Sequence, residues 1–144
     1  MASVSRGDLV TLDIEKFADK GAGLARLDGY VVFVEDAVPG DRVKAYLYQT
    51  KSNFAKAKLD TLITPSDLRT EPRCRYAQTC GGCARQHVAY QAQLDAKQQS
   101  VQEAFAHHSD FADVAVPPVI GMDDPFYYRN KMDFDFSADR WLTS

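Results

Sequence analysis

The feature that most constrains the fold is the short repeat of apolar residues in the first 62 positions. Val10, Leu12 and Ile14 alternate with polar residues, the pattern of a strand with one buried face. Further strand-like segments cover 30–34, 43–47 and 54–62, and turn signals separate them, namely residues 20–23, Asp28-Gly29, Pro39-Gly40-Asp41 and residues 50–53. The four turn signals divide this region into five short strands, and five such strands without an intervening helix predict a small closed or nearly closed barrel, which leaves few sheet edges exposed.

The sequence changes character after a polar, proline-containing stretch at 64–67. A second periodicity follows, in steps of three and four, through Tyr90, Leu94, Gln98, Val101 and Phe105. It predicts an amphipathic helix over residues 87–107. The pair Pro117-Pro118 then predicts an extended linker. Residues 130–137 alternate again, so we expect a last strand, and with it the start of a further domain.

Composition limits the cellular setting. No apolar run reaches the roughly 18–20 residues that cross a bilayer, and the N-terminus lacks the features of a secretory signal, so we expect a cytoplasmic protein without a membrane contact. The net charge is −3. Between Arg42 and Leu94, however, nine cationic residues face three acidic ones, a local net charge of +6. This asymmetry is typical of a surface that binds a partner, or of an ordinary solvated surface with mixed charges. No protein partner is evident from the sequence.

Three cysteines lie within ten residues, at Cys74, Cys80 and Cys83, and the last two flank two glycines. In a reducing compartment such a group favours a metal site over disulfides. Thiolates select iron–sulfur clusters or zinc, and the nearby Arg73, Arg75 and Arg85 would offset their charge. His87 stands four residues after Cys83, a suitable spacing for a zinc ligand. Spacing alone leaves zinc and iron nearly equal.

The segment around residues 49–58 combines cationic and aromatic side chains. Lys56, Lys58 and Phe54 share one strand parity, and Lys51 lies in the preceding turn. A cationic groove with an aromatic platform suits single-stranded RNA. The alternative is that Phe54 covers the barrel core and the lysines protect a sheet edge. Arg26, after the glycine turn, is a further candidate phosphate contact.

Three parts of the sequence together resemble the bacterial RNA 5-methyluridine methyltransferases, the enzymes that methylate uracil C5 in ribosomal and transfer RNA. Cys74-x5-Cys80-Gly81-Gly82-Cys83-x2-Gln86-His87 is similar to their iron–sulfur segment. Gly21-x-Gly23-x-Ala25-Arg26 and Pro39-Gly40-Asp41 are similar to their TRAM domain. Pro125-x2-Tyr128-Arg129-Asn130-Lys131-Met132 resembles the entry to their catalytic domain. The resemblance covers nearly all 144 residues.

The resemblance implies an α+β chain in three parts. Residues 1–64 would be a five-stranded, oligonucleotide-binding-type TRAM barrel that binds RNA. Residues 65–115 would be a small Cys-rich domain with one helix, in which Cys74, Cys80 and Cys83 hold a 4Fe–4S cluster. Residues 116–144 would be a linker and the start of a truncated catalytic domain, with Arg129 and Lys131 facing RNA. Ribosomal RNA is favoured over transfer RNA as the partner.

The chain also departs from the family. A fourth cluster cysteine, the motif for S-adenosylmethionine and the nucleophilic cysteine are missing from it, so the fourth ligand would come from elsewhere. We therefore assign no catalytic residue and predict that this chain alone is inactive. The alternative is a stand-alone, non-enzymatic RNA-binding module stapled by zinc or an iron–sulfur cluster. The incomplete ligand set disfavours an electron-transfer protein.

Overall fold

A computed structural model describes residues 4–18, 21–77, 82–128 and 131. The chain divides into two compact units, Met1–Ala89 and Tyr90–Ser144. The first unit contains the β-sheet and the segment with the described cysteines, and the second contains the long helix. The strand predicted at 130–137 lies outside the described residues, except for Lys131.

Six strands form one mixed sheet in the first unit. They are β1 (Leu9–Asp13), β2 (Lys16–Phe17), β3 (Gly23–Leu27), β4 (Tyr30–Glu35), β5 (Arg42–Thr50) and β6 (Phe54–Thr64). Their order in the sheet is β1-β5-β6-β4-β3-β2. Only β4 and β6 run parallel among the pairs of the described strands, and the other ladders are antiparallel.

The sheet has six strands rather than five because a short strand that the pattern did not predict, β2, follows soon after β1. Between β1 and β2 the chain changes partners at Ile14 and Glu15. The Ile14 amide donates to the Asp41 carbonyl at 2.9 Å, and the Glu15 amide donates to the Leu24 carbonyl at 2.8 Å. β1 therefore pairs with one end of the sheet and β2 with the other. The sheet curls like a barrel, but in the described residues no ladder closes it.

The core consists of the inward residues of this sheet, and many of them are small. Ten of these residues are at most 4% exposed, namely Leu12, Ile14, Val32, Val34, Val43, Leu47 and the four alanines Ala25, Ala45, Ala55 and Ala57. Period-2 alternation predicts these positions directly. The Asp28-Gly29 turn between β3 and β4 is also confirmed: both residues have positive φ, 49° and 84°. Such a turn matches the right-handed twist of a hairpin.

The second unit is built on α1 (Tyr90–Ala106), followed by a short 3-10 turn at Ser109–Phe111. The segment around Pro117-Pro118, for which an extended linker is predicted, has no regular secondary structure and is bound to the helix. The Gln98 side chain donates to the Val116 carbonyl at 3.1 Å, and Gln102 both donates to and accepts from this segment at 3.1 Å. The Met122 amide donates to the Tyr90 hydroxyl at 2.9 Å.

The helix therefore agrees with the prediction over 87–107 within three residues at each end. The prediction is wrong for one residue of the expected apolar stripe. Val101 is 45% exposed, whereas Ala92 is the buried residue of the helix. Gln98 fits the stripe because its amide binds the segment around Pro117-Pro118 rather than a hydrophobic core.

Among the described residues, no helix is long and apolar enough to cross a membrane.

Candidate nucleic-acid interface and thiol site

One outer surface of the sheet brings aromatic and cationic side chains together. We call it the aromatic–lysine face and define it as Phe33, Tyr46, Phe54, Lys56 and Lys58. The ladders set their positions, since Lys56 lies opposite Phe33 and Lys58 lies opposite Tyr46. The Phe33 and Phe54 rings meet edge to face, with centroids 5.7 Å apart. The predicted shared face of Phe54, Lys56 and Lys58 is present, and both lysines are exposed.

The turn between β5 and β6 places Lys51 at the end of this face. The Lys51 amide donates to the Phe54 carbonyl at 2.8 Å, and the Tyr30 hydroxyl donates to the Lys51 carbonyl at 2.6 Å. The Lys51 ammonium lies 5.9 Å from the centre of the Phe54 ring, within reach of a cation–π contact. The turn is therefore fixed at both ends, which keeps three lysine charges along one strip.

The two tyrosines of β5 differ in availability. Tyr46 is 42% exposed and directly opposite Lys58. Tyr48 is half-buried, and its hydroxyl donates to the Glu35 carboxylate at 2.5 Å. Burial, together with this bond and the Glu35 charge, raises the pKa of Tyr48 to about 12. Tyr46 is thus the more accessible of the two rings.

The remaining predicted RNA contacts are less concentrated. Arg26 pairs with Val31, which in turn pairs with Phe54, so it occupies the same row two strands from Phe54. Its guanidinium forms an exposed ion pair with Glu15. Lys131 is exposed and belongs to the second unit, and Arg129 lies outside the described residues. The structure therefore gathers Lys51, Phe54, Lys56 and Lys58, with Arg26 at a distance.

The cysteine segment forms a loop whose base is well defined. We call residues 70–87 the thiol loop. At its base, Arg69 and Val88 form an antiparallel bridge. The Thr70 amide donates to the His87 carbonyl at 3.0 Å, and the Ala89 amide donates to the Leu68 carbonyl at 2.8 Å. Both ends of the loop are thus held side by side on the first unit.

A buried acidic residue fixes this base to the sheet. Asp41, 1% exposed, accepts two hydrogen bonds from the Arg69 guanidinium, each of 2.8 Å. It also accepts from the amides of Val38 at 2.6 Å and Ser66 at 2.9 Å. Burial alone would raise the pKa of Asp41, but these hydrogen bonds and the Arg69 charge lower it overall. We call Asp41, Ser66 and Arg69 the base clamp.

Sequence reasoning did not find the base clamp. Asp41 was interpreted as a turn residue and Arg69 as one positive charge among nine. The available signal was the Pro39-Gly40-Asp41 turn, in which Gly40 adopts a positive φ of 89°. The partner 28 residues later could not be predicted from local pattern.

Two thiols of the predicted metal site are described. Cys74 and Cys83 are free and exposed, and Cys80 lies outside the described residues. The Cys74 amide donates to the Gln86 side-chain oxygen at 2.7 Å. Within the described residues, no group of three or more His, Cys, Asp and Glu side chains is arranged to hold a metal ion. Accessible soft thiols on one loop fit a thiolate-bound metal, for which Cys80 would supply the third ligand.

His87, the alternative zinc ligand, has a different environment from the thiols. It is 4% exposed, whereas Cys74 and Cys83 are exposed. Burial lowers its pKa, as do the charges of Arg69 and Arg85, against the opposing effect of Asp36 and Asp41. A neutral, buried imidazole beside the base clamp supports a structural role.

This burial predicts a dependence of stability on pH. Because the folded-state pKa of His87 lies below its ordinary value of 6.5, the unfolded chain binds more protons as the pH falls below that value. The free energy of unfolding should therefore decrease between pH 7 and pH 5 in urea titrations. His87→Gln should flatten this decrease, and His107→Gln, at an exposed position, should not. Parallel pH profiles for all three proteins would contradict the assignment.

The arginines near the cysteines have separate contacts. The Arg85 guanidinium stacks on the Phe17 ring, 4.7 Å from its centre, and packs against Gly21. Burial lowers its pKa. Arg75 stacks on the exposed Tyr76 ring, 4.6 Å from its centre, and donates to its hydroxyl. Arg85 thus joins the thiol loop to the turn after β2, whereas Arg75 remains on the exposed part of the loop.

Residues 4–59 match the family model of the TRAM domain. These residues are a TRAM domain. It contains the whole aromatic–lysine face, and its match ends inside β6.

The match to relatives extends past the TRAM domain. A protein of Halalkalibacterium halodurans named an uncharacterized RNA methyltransferase is 39% identical over 90% of this chain and 28% of its own length. Proteins with the same description occur in Gloeobacter violaceus, 43% identical over 93% of the chain and 30% of that protein, and in Porphyromonas gingivalis, 37% identical over 91% and 28%. The chain is similar to these proteins and spans less than a third of their length.

A solved structure is also similar to this chain. It is the solution structure of a conserved protein of Methanococcus maripaludis, 33% identical, with a TM-score of 0.40. The match covers 42% of this chain and 87% of that protein.

Proposed function

We propose that this chain is the RNA-recognition and iron–sulfur portion of an S-adenosylmethionine-dependent RNA uracil-C5 methyltransferase. The observation that carries the RNA part is the aromatic–lysine face of the TRAM domain. Its relatives are named RNA methyltransferases, which supports the enzyme class. Uracil C5 as the methylated atom rests on the sequence resemblance. Methyl transfer from S-adenosylmethionine would belong to the part of the relatives that this chain does not match.

The face binds RNA by two physical effects. Lys51, Lys56 and Lys58 neutralise phosphates along one strip, which releases counterions and supplies affinity. Exposed Tyr46 and half-buried Phe54 offer aromatic rings on which unpaired bases stack. Duplex RNA does not expose the faces of its bases, so this arrangement favours single-stranded RNA. Arg26, Arg129 and Lys131 are proposed as further contacts.

Titration of labelled RNA onto the chain tests this function. We expect a single-stranded oligonucleotide to bind more tightly than a duplex of the same length, with an affinity that falls steeply with salt. Equal affinity for both would contradict base stacking, and the absence of RNA binding would overturn the proposal. Unmodified ribosomal RNA fragments and transfer RNA in the same assay test our preference for ribosomal RNA.

We further propose that Cys74, Cys80 and Cys83 hold a 4Fe–4S cluster whose fourth ligand comes from outside this chain. The exposed thiols and the cationic Arg75 on the same loop support a negatively charged thiolate site. When bound, the cluster would act as a covalent cross-link of the loop. Zinc is the alternative metal for the same thiols.

Anaerobic purification is expected to distinguish the two metals. A brown protein with broad visible absorbance, containing iron and sulfide, is the expected result. Cys74→Ser and Cys83→Ser should each abolish the colour, because a thiolate ligand is lost. A colourless protein with stoichiometric zinc would contradict the iron–sulfur assignment.

The alternative function is a stand-alone RNA-binding module. The nucleotides that follow the codon for Ser144 separate it from the methyltransferase. An open frame that encodes a further cysteine and a glycine-rich strand–loop–helix supports the methyltransferase. A stop codon in an intact gene supports the module, and RNA binding is expected in both cases.

A further inference from the structure

We propose that Gln86 is a positioning residue that organises the thiol site before any metal binds; this inference rests on the proposed thiolate metal site. Gln86 stands three residues after Cys83, and its side-chain oxygen accepts the amide hydrogen of Cys74 at 2.7 Å. One side chain thus connects the two ends of the cysteine group. The connection exists within the protein itself and needs no metal.

The position of Gln86 is in turn fixed from below. The next residue, His87, is buried, and its carbonyl accepts from the Thr70 amide at 3.0 Å. Val88, 1% exposed, bridges to Arg69 of the base clamp. Gln86 is therefore followed directly by two buried residues, whereas Cys74 is exposed. Outer-shell hydrogen bonds raise the affinity of a metal site by orienting the residues that bind the metal.

The side contact of Arg85 adds a second point of support. Its guanidinium lies on Phe17 and is 3.0 Å from the position that a Cβ on Gly21 would occupy. Because Arg85 and Gln86 are neighbours in sequence, the backbone entering Gln86 is held against the turn after β2. A loop supported on both sides pays its ordering entropy during folding rather than on metal binding.

The substitution Gln86→Leu tests this role. It removes the acceptor of the Cys74 amide at similar side-chain size, and Gln86→Glu retains an oxygen acceptor. Gln99→Leu is the matched control, because Gln99 is an exposed glutamine of α1 in the other unit. Co²⁺ is the probe, since its thiolate charge-transfer absorbance reports on the thiols directly. We expect Gln86→Leu to weaken Co²⁺ binding by about 10- to 100-fold. Glutamate should restore most of the affinity, and the control should bind like the unsubstituted chain.

Amide hydrogen exchange of the metal-free chain provides a second readout that the metal does not affect. The Cys74 amide should be protected in the unsubstituted chain and in Gln86→Glu, and it should lose protection in Gln86→Leu. Protection equal in all variants, or a Co²⁺ affinity unchanged by Gln86→Leu, overturns the positioning role even if the chain binds metal. A protected Cys74 amide in a chain that binds neither Co²⁺ nor iron refutes the metal site instead, and with it any role of Gln86 in metal binding.

Discussion

Replacing Asp41 by alanine is expected to lower the free energy of unfolding of the first unit by about 3–5 kcal/mol, the cost of breaking a buried ion pair from one side. The Asp41 side chain is fully buried, and that of Arg69 is only 16% exposed. The substitution would leave the guanidinium without its carboxylate, and the amides of Val38 and Ser66 without their acceptor. Urea denaturation followed by circular dichroism of the sheet measures the effect.

A matched acidic substitution provides the control. Asp13 is also paired with an arginine, Arg42, but at 3.7 Å and with side chains 73% and 56% exposed. Such surface pairs contribute at most about 1 kcal/mol, so Asp13→Ala should be nearly neutral. If Asp41→Ala and Asp13→Ala shift the urea midpoint equally, the base clamp does not stabilise the unit. Asp41→Asn should fall between alanine and the unsubstituted chain, since an amide oxygen can still accept from the two backbone amides.

Short-range patterns predicted the sheet because burial in a strand follows a period of two. Val32 and Val34, or Ala55 and Ala57, face the core for this reason alone, and their neighbours Phe33 and Lys56 face outward. The same rule placed the lysines and Phe54 on one face. The short strand β2 is not predicted because Ile14 continues the alternation of β1 while the backbone changes partners, and alternation contains no information about pairing.

Long-range contacts explain the other differences. The helix begins at Tyr90 rather than at 87 because His87 and Val88 pair with the backbone of Thr70 and Arg69. The clamp between Asp41 and Arg69 joins the turn before β5 to the segment that follows β6 in the chain, and neither residue has a local signature. Gln86 was noted only as part of a motif, and its bond to the Cys74 amide required the folded loop.

Changing Lys51, Lys56 and Lys58 together to alanine is expected to weaken the binding of single-stranded RNA by about 100-fold at 0.1 M salt. Each phosphate contact on a single strand contributes about 0.7 to the slope of log K against log salt, so three contacts contribute roughly 2. A slope of about 2 over the tenfold range between 0.1 M and 1 M salt corresponds to a change in affinity of about 100-fold, which is the loss that we expect. Fluorescence anisotropy at four salt concentrations measures both quantities.

Two controls separate charge from the shape of the face. The triple substitution to arginine retains the charges, so the salt slope should stay close to that of the unsubstituted chain. The double substitution of Arg42 and Lys97 to alanine removes two exposed charges outside the aromatic–lysine face and should change the slope little. An unchanged slope in the triple alanine variant would exclude these lysines as phosphate contacts. The triple alanine variant could instead show a reduced slope and an intact preference for single strands over duplex. That result would assign affinity to the lysines and strand selectivity to the rings of Tyr46 and Phe54. The reason is that stacking requires unpaired bases and responds weakly to salt.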